Sequence, residues 1–206
     1  MNLYNAIAGD LDAMARTGRI YGVVVGIVTN NEDPDDQGRV KIKYPWLSAG
    51  EESPWARIAT PLGGKERGMF FLPEVEDEVL VIFEQGDITR PYILGGLWGG
   101  TDLPPTADGD GRDKKILKSK SGHIIRLDDT NGEEKIEIIG KDAKDTIVID
   151  VAKNTITLKS DKDLVFEAPK GKVSIKAKEV EVVSTGASTY EASGEMTVKG
   201  SQVNIN

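Results

Sequence analysis

A chain of 206 residues with a net charge of −8, 29% charged side chains and no cysteine excludes several classes of protein. The acidity argues against a phosphate backbone as partner, because such binding rests on clustered Lys and Arg that release counterions. Without cysteine there are no disulfides, thiolate metal sites or thiol nucleophiles, and the expected place of folding is a reducing cytoplasm.

In the opening stretch, residues 1–18, Leu3, Ile7, Leu11 and Met14 stand at helical spacing and predict a short amphipathic helix or arm. The segment MNLYNAIAGDLDAMAR has neither a basic start nor an unbroken apolar run, so neither a signal peptide nor a membrane span is expected.

From Arg19 the pattern changes to strands. Val40 and Ile42 alternate with Arg39, Lys41 and Lys43, the period of a half-buried strand, and Asp35, Asp36 and Gly38 supply turn chemistry before it. PWARIATPL, GMFFLPEVEDEVLVIFEQGD and RPYILGGLW give at least three more strands. Ten of the twelve aromatic residues lie at or before Trp98, leaving only Phe166 and Tyr190 beyond it, so the bulky side chains of a compact core belong to this half. An OB-type barrel or a compact sandwich over residues 19–100 is expected.

TDLPPTADGDGRD, residues 101–113, is rich in Pro, Gly and Asp and predicts a linker. Beyond it, residues 114–206 read as strand and turn. Apolar pairs at spacing two begin at Ile147, Ile156, Leu164, Val173, Val180, Met196 and Val203, a step of roughly eight residues that signals a β-solenoid or prism. Eight residues make only one side of a β-helical coil, so one chain cannot close this core.

Three chains can. Wound about one axis as a triangular prism, they would bring together Ile156, Leu158, Leu164, Phe166, Val173, Ile175, Val180, Val182, Met196 and Val198 as a trimer core, with strand edges paired between chains. At about 4.8 Å per strand, residues 116–206 would form a rod on the order of 50 Å long.

The segments DQGRVKIKYPWL, WARIATP, RGMFFLPEVEDEVLVIFEQGDITRPYILGGLWGG and KSKSGHIIRLDD, in that order, resemble the phage baseplate assembly protein V family. That family is related to the VgrG spikes of type VI secretion and other contractile injection systems. Two positions depart from its pattern: Glu76 stands where a Gly is usual, and Gly99 where an Asn is usual. The resemblance implies an all-β chain with an OB-fold at a baseplate hub, followed by an intertwined trimeric β-helix pointing at the target membrane. It also implies that the hub domains and any cell-wall enzyme are other polypeptides. The expected product is a non-enzymatic homotrimer, made in the cytoplasm and assembled into a phage tail or injection-system baseplate, meeting a membrane only on firing.

Chemical readings of single motifs are weaker than structural ones. His123, the only histidine, has no recognisable ligand or carboxylate partners in the sequence, and DGDGRD lacks EF-hand spacing. GGLWGG is followed by no helix that could hold an anion, and is better read as a tight exit from the barrel. The acids Asp128, Asp129, Glu133 and Glu134 flank an Asn-Gly turn, where solvated hairpin charge explains them better than glycoside chemistry. Nucleic-acid binding needs a basic groove, but Arg16 to Pro105 holds nine Lys and Arg against fourteen Asp and Glu. Tyr44, Trp46 and Trp55 read as barrel core and subunit interface. No catalytic, cofactor or metal residue is therefore expected.

The alternatives are a receptor-binding fibre or adhesin with a β-helical shaft, and a polysaccharide-active enzyme on a trimeric prism. At the C-terminal end, Gln202, Val203, Asn204, Ile205 and Asn206 contain no histidine for a metal-closed tip. They are expected to form the docking platform for a PAAR-type tip protein, with the hub protein at the opposite, OB end.

Overall fold

The structure, a computed structural model, describes residues 18–47, 51–100, 102–106 and 111–205. The helix expected at Leu3, Ile7, Leu11 and Met14 lies outside them, as does Asn206. Apart from a 3-10 turn at Glu84–Gly86, every regular element among the described residues is a β-strand. The chain divides after Lys159 into two compact units.

Strands β1 (Val24–Asn30), β2 (Lys41–Lys43) and β3 (Arg57–Ile58) are followed by a small hairpin, β4 (Gly63–Gly64) and β5 (Arg67–Gly68), then β6 (Glu78–Phe83) and β7 (Pro91–Gly96). The main sheet has the order β2-β1-β6-β7-β3, antiparallel except for the parallel pair β3 and β7. Its two ends meet where Val40 and Ala56 exchange backbone hydrogen bonds of 3.0 and 2.8 Å. This closure makes the sheet a five-stranded barrel of OB topology.

Alternation along the strands fills the barrel. On β6, Val79, Val81 and Phe83 point inward, joining Val28, Val40, Ile42, Tyr44, Ala56 and Ile93. Gly26 sits where a Cβ would come within 3.0 Å of Val81 and 3.1 Å of Ile42, so the absence of a side chain lets β1 press onto the core. Tyr44 belongs to that core, whereas Trp46 is 48% exposed. Buried Ser53 accepts the Ile42 N–H at 3.1 Å and donates to the Pro54 carbonyl at 2.7 Å, securing the loop that leads to the closure.

The turn before Val40 is organised by Asp33 rather than by Asp35, Asp36 and Gly38 alone. Its carboxylate accepts the backbone N–H groups of Asp35, Gln37 and Arg39 and both arms of the Arg39 guanidinium. Arg39 also bonds Asp35 at 2.7 Å.

After the barrel come β8 (Lys114–Lys118), β9 (Ile124–Asp128), β10 (Lys135–Ile139), β11 (Thr146–Asp150) and β12 (Thr155–Lys159), an antiparallel meander in which each strand pairs with the next. Here the structure differs from the winding expected from residue 114 onward. Through Lys159 each strand pairs with its sequence neighbour within one chain, leaving only the outer edges of β8 and β12 open, because tight turns such as Asn131–Gly132 reverse the direction every ten residues or so. The β8–β9 hairpin reaches back to the barrel through Lys120 and Glu74, 2.7 Å apart.

Candidate assembly interface

Strand register sorts the meander into two unlike faces. Lys115, Leu127, Ile136, Ile149 and Ile156 form one cross-strand row, and Leu117, Ile125, Ile138, Ile147 and Leu158 the next row on the same face. Nine of these ten residues are Ile or Leu, and all nine are 38–72% exposed. The opposite face carries three rows, Lys114, Asp128, Lys135, Asp150, Thr155, then Ile116, Arg126, Glu137, Val148, Thr157, then Lys118, Ile124, Ile139, Thr146, Lys159, a mixture of charged, polar and a few aliphatic side chains.

The charged face is the better covered of the two. Arg126 and Glu137 pair at 2.6 Å, and both Glu137 and Asp128 are buried. The Thr130 hydroxyl, together with its backbone N–H and the nearby Lys114 and Lys135, holds the Asp128 carboxyl below its usual value. Long polar side chains thus pack on one another, while the aliphatic face stays largely exposed. At strand β8, Trp98, Leu103 and Pro105 line a cleft with Ile116 and Leu117, and both Trp98 and Leu103 are exposed.

The second unit, Ser160–Asn206, shows the complementary property. Its backbone bends at 161–162, 169–171, 178, 185–186, 193–194 and 201, a step of about eight residues that matches one short strand and its turn. Between bends the described residues make no strand pairing with one another. Leu164, Phe166, Val173, Ile175, Val180, Val182, Met196 and Val198 are all more than half exposed. At the end, Val203 and Ile205 are exposed and Gln202 bonds Asn204 at 3.1 Å.

Of the residues expected in a trimer core, the structure brings Ile156 and Leu158 together with the bare face of the meander. The sequence reading missed most of that face. Ile125 with Leu127, and Ile136 with Ile138, are the same spacing-two signal, but placed eleven residues apart they fall outside an eight-residue step.

Elsewhere the geometry offers little chemistry. His123 lies beside a turn in which its backbone N–H donates to Ser119 Oγ at 3.0 Å. No group of three or more His, Asp or Glu among the described residues is placed to hold a metal ion. On the outer barrel wall, where OB-folds stack ligands on aromatic rings, Trp55 is covered by Arg39 and Lys41 at 5.9 and 5.4 Å. Those cations are already neutralised, Arg39 by Asp33 and Lys41 by Glu52 at 3.2 Å. No helix among the described residues is long and apolar enough to cross a membrane.

Fold and faces together define an OB barrel, an exposed aliphatic sheet face and, from Ser160, extended segments with no strand pairing among the described residues. Comparison with known families makes this specific: residues 24–98 match the type VI secretion system/phage-baseplate injector OB domain. Among curated relatives, the chain is 30% identical over 125 residues to the type VI secretion system spike protein VgrG2a of Pseudomonas aeruginosa, covering 56% of this chain and 15% of the relative. It is 31% identical over 140 residues to VgrG1a of the same organism, covering 61% of this chain and 22% of the relative. A third match, 30% over 128 residues, is to the actin cross-linking toxin VgrG1 of Vibrio cholerae, covering 58% of this chain and 12% of that protein. The chain thus spans less than a quarter of each of these relatives. Its OB region is similar to that of VgrG-like spike proteins of type VI secretion systems and of phage-baseplate injectors.

Proposed function

We propose that three copies of the chain form the central spike of a contractile tail or injection machine, a structural part without an enzymatic role. The observation that carries this reading is the bare aliphatic face of β8–β12. Completing the burial of nine half-exposed Ile and Leu side chains contributes about 1 kcal/mol each, roughly 10 kcal/mol per chain before the costs of association. A five-residue strand is about 17 Å wide, and five strands stack to about 20 Å, the proportions of one side of a slender prism. Three such sides enclose one another's apolar faces and leave the charged faces in water.

Beyond Lys159 the unpaired strands, turning every eight residues, pair between chains, and the prism becomes intertwined. Such a rod cannot bend or unravel locally without breaking pairings between chains, so it carries axial force to a narrow end. In this reading the domains are an N-terminal arm over residues 1–18, an OB barrel over 19–100 that meets a hub protein, a connection at 101–113, and the spike over 114–206. Gln202 to Asn206 present three copies of Val203 and Ile205 to a PAAR-type tip protein.

Mass measurement of the purified chain in solution tests the proposal. The expected value is about three times 22.3 kDa, with no dissociation short of unfolding. A stable, folded monomer would overturn it.

A further inference from the structure

The turn between β9 and β10 contains the chain's single Asn-Gly pair, Asn131 and Gly132. Both residues are exposed. The Glu133 N–H closes the turn onto the Thr130 carbonyl at 2.9 Å, and Gly132 has a φ of +80°. A Cβ built on Gly132 would meet nothing within 4 Å, so open space lies beside the residue whose nitrogen, carrying no side chain of its own, is the attacking group. We propose that Asn131 is a modification site, which loses its amide spontaneously and turns this hairpin into a chemical clock for the assembled protein.

The step is intramolecular, and its rate comes from holding the two reacting groups together in one turn. Hydroxide removes the Gly132 amide proton, the nitrogen attacks Cγ of Asn131, and a five-membered imide forms as the Cγ–Nδ2 bond breaks and ammonia leaves. Water then opens the imide. Cleavage of the bond from nitrogen to Cγ gives aspartate; cleavage at the α-carbonyl gives isoaspartate, which routes the main chain through the side chain. The net change is loss of ammonia and gain of water, with no oxidant or reductant.

Asn30, Asn31 and Asn154 are followed by Asn, Glu and Thr, whose side chains crowd the attacking nitrogen. Glu134 sets the pace at Asn131. Its Oε1 accepts the Gly132 N–H at 3.1 Å, and its negative charge opposes deprotonation of that nitrogen. Either product adds a charge beside Asp128, Asp129, Glu133 and Glu134. Isoaspartate also adds one backbone atom to the turn that fixes the five-pair register of β9 and β10.

Peptide mapping by mass spectrometry, on full chain kept in warm, mildly alkaline buffer, tests this. The peptide holding Asn131 should gain about 1 Da, as a normal and an isoaspartyl form, at a rate rising about tenfold per pH unit. Asn131→Gln should abolish the change, Gly132→Ala should slow it about tenfold, and Glu134→Gln should speed it. An Asn131 that stays intact in folded protein while it converts in denatured chain would overturn the proposal. So would conversion as fast at Asn30 or Asn154, and a slower Glu134→Gln variant would overturn the hydroxide route by making Glu134 the base.

Discussion

Lys43 Nζ lies 3.5 Å from the carboxylate of Glu76, a residue whose backbone φ is +76°. The contact is exposed on both sides and is worth little. The backbone costs more, since a left-handed conformation sets the Cβ against its own carbonyl by about 1–2 kcal/mol. The turn stays because the Glu76 N–H donates to Val28 O at 2.9 Å and Asp77 holds the Glu74 N–H at 2.8 Å. Glycine, usual here in the resembling family, fits that geometry. Glu76→Gly is expected to raise stability by about 0.5–1 kcal/mol, seen as a higher urea midpoint at unchanged slope, whereas Glu76→Ala keeps the strain and gains nothing. Equal midpoints for Gly and Ala would show that the turn is unstrained.

Ser53 makes the second prediction. Its hydroxyl is the partner of the Ile42 N–H inside the barrel closure, and Ser53→Ala leaves that buried donor without an acceptor. The expected loss is about 1–3 kcal/mol, read from tryptophan-detected unfolding. A loss below about 0.5 kcal/mol would mean that water reaches the amide.

How far these features could be read from the sequence depends on how local their causes are. Val40 and Ile42 announce an inward face because alternation is written into five consecutive residues. The barrel was legible for the same reason in Val79, Val81 and Phe83. Asp33 was not, since its role appears only when the loop folds back and brings Arg39 to it. The eight-residue repeat from Leu164 to Val198 was legible in the sequence and is the basis of the proposed trimer core, whereas residues 114–159, expected to wind in the same way, form an antiparallel meander within one chain. Whether Ile147 pairs with a strand of its own chain or of another depends on the turns at Asn131–Gly132 and Gly140–Asp145, and not on the apolar spacing.

The Arg39 guanidinium holds the Asp33 carboxyl well below the usual carboxylate range, chiefly by direct hydrogen bonding, with the N–H groups of Asp35 and Arg39 adding to it. Asp87 and Asp150 are lowered too, by bonds from Thr89 and Lys153. A depressed folded-state pKa contributes stability that is fully present above the unfolded value of about 3.9 and is lost as pH falls through the folded one. Stability should therefore be flat in these groups at neutral pH and should fall progressively below about pH 4. Asp33→Asn should be less stable at pH 7 and should lose less than wild type between neutral and acid pH. Parallel curves for the two proteins would remove Asp33 from the acid transition.

The last prediction separates inside from outside along the spike. In a trimeric prism Ile138 and Ile175 face the axis, so an aspartate at either position places three like charges around one dry point. Unpaired buried charge costs several kcal/mol, enough to dissociate a trimer held by side chains of about 1 kcal/mol each. Lys176 follows Ile175 on an extended segment and points the other way, so its replacement leaves three carboxylates in water. Ile138→Asp and Ile175→Asp should yield monomer or aggregate in sedimentation, and Lys176→Asp should remain trimeric with nearly unchanged melting. The two isoleucines also report on different segments. Ile138 lies on β10, the central strand of a meander whose strands pair with one another within one chain, so Ile138→Asp should retain a folded OB barrel with its buried Tyr44 and Phe83 intact. In the proposed trimer the segments around Ile175 find strand partners only in other chains, so Ile175→Asp should in addition expose residues 160–205 to proteolysis. If Ile175→Asp and Lys176→Asp behaved alike, the assignment of Ile175 to the axis would be wrong, and the second unit would need another source of strand partners.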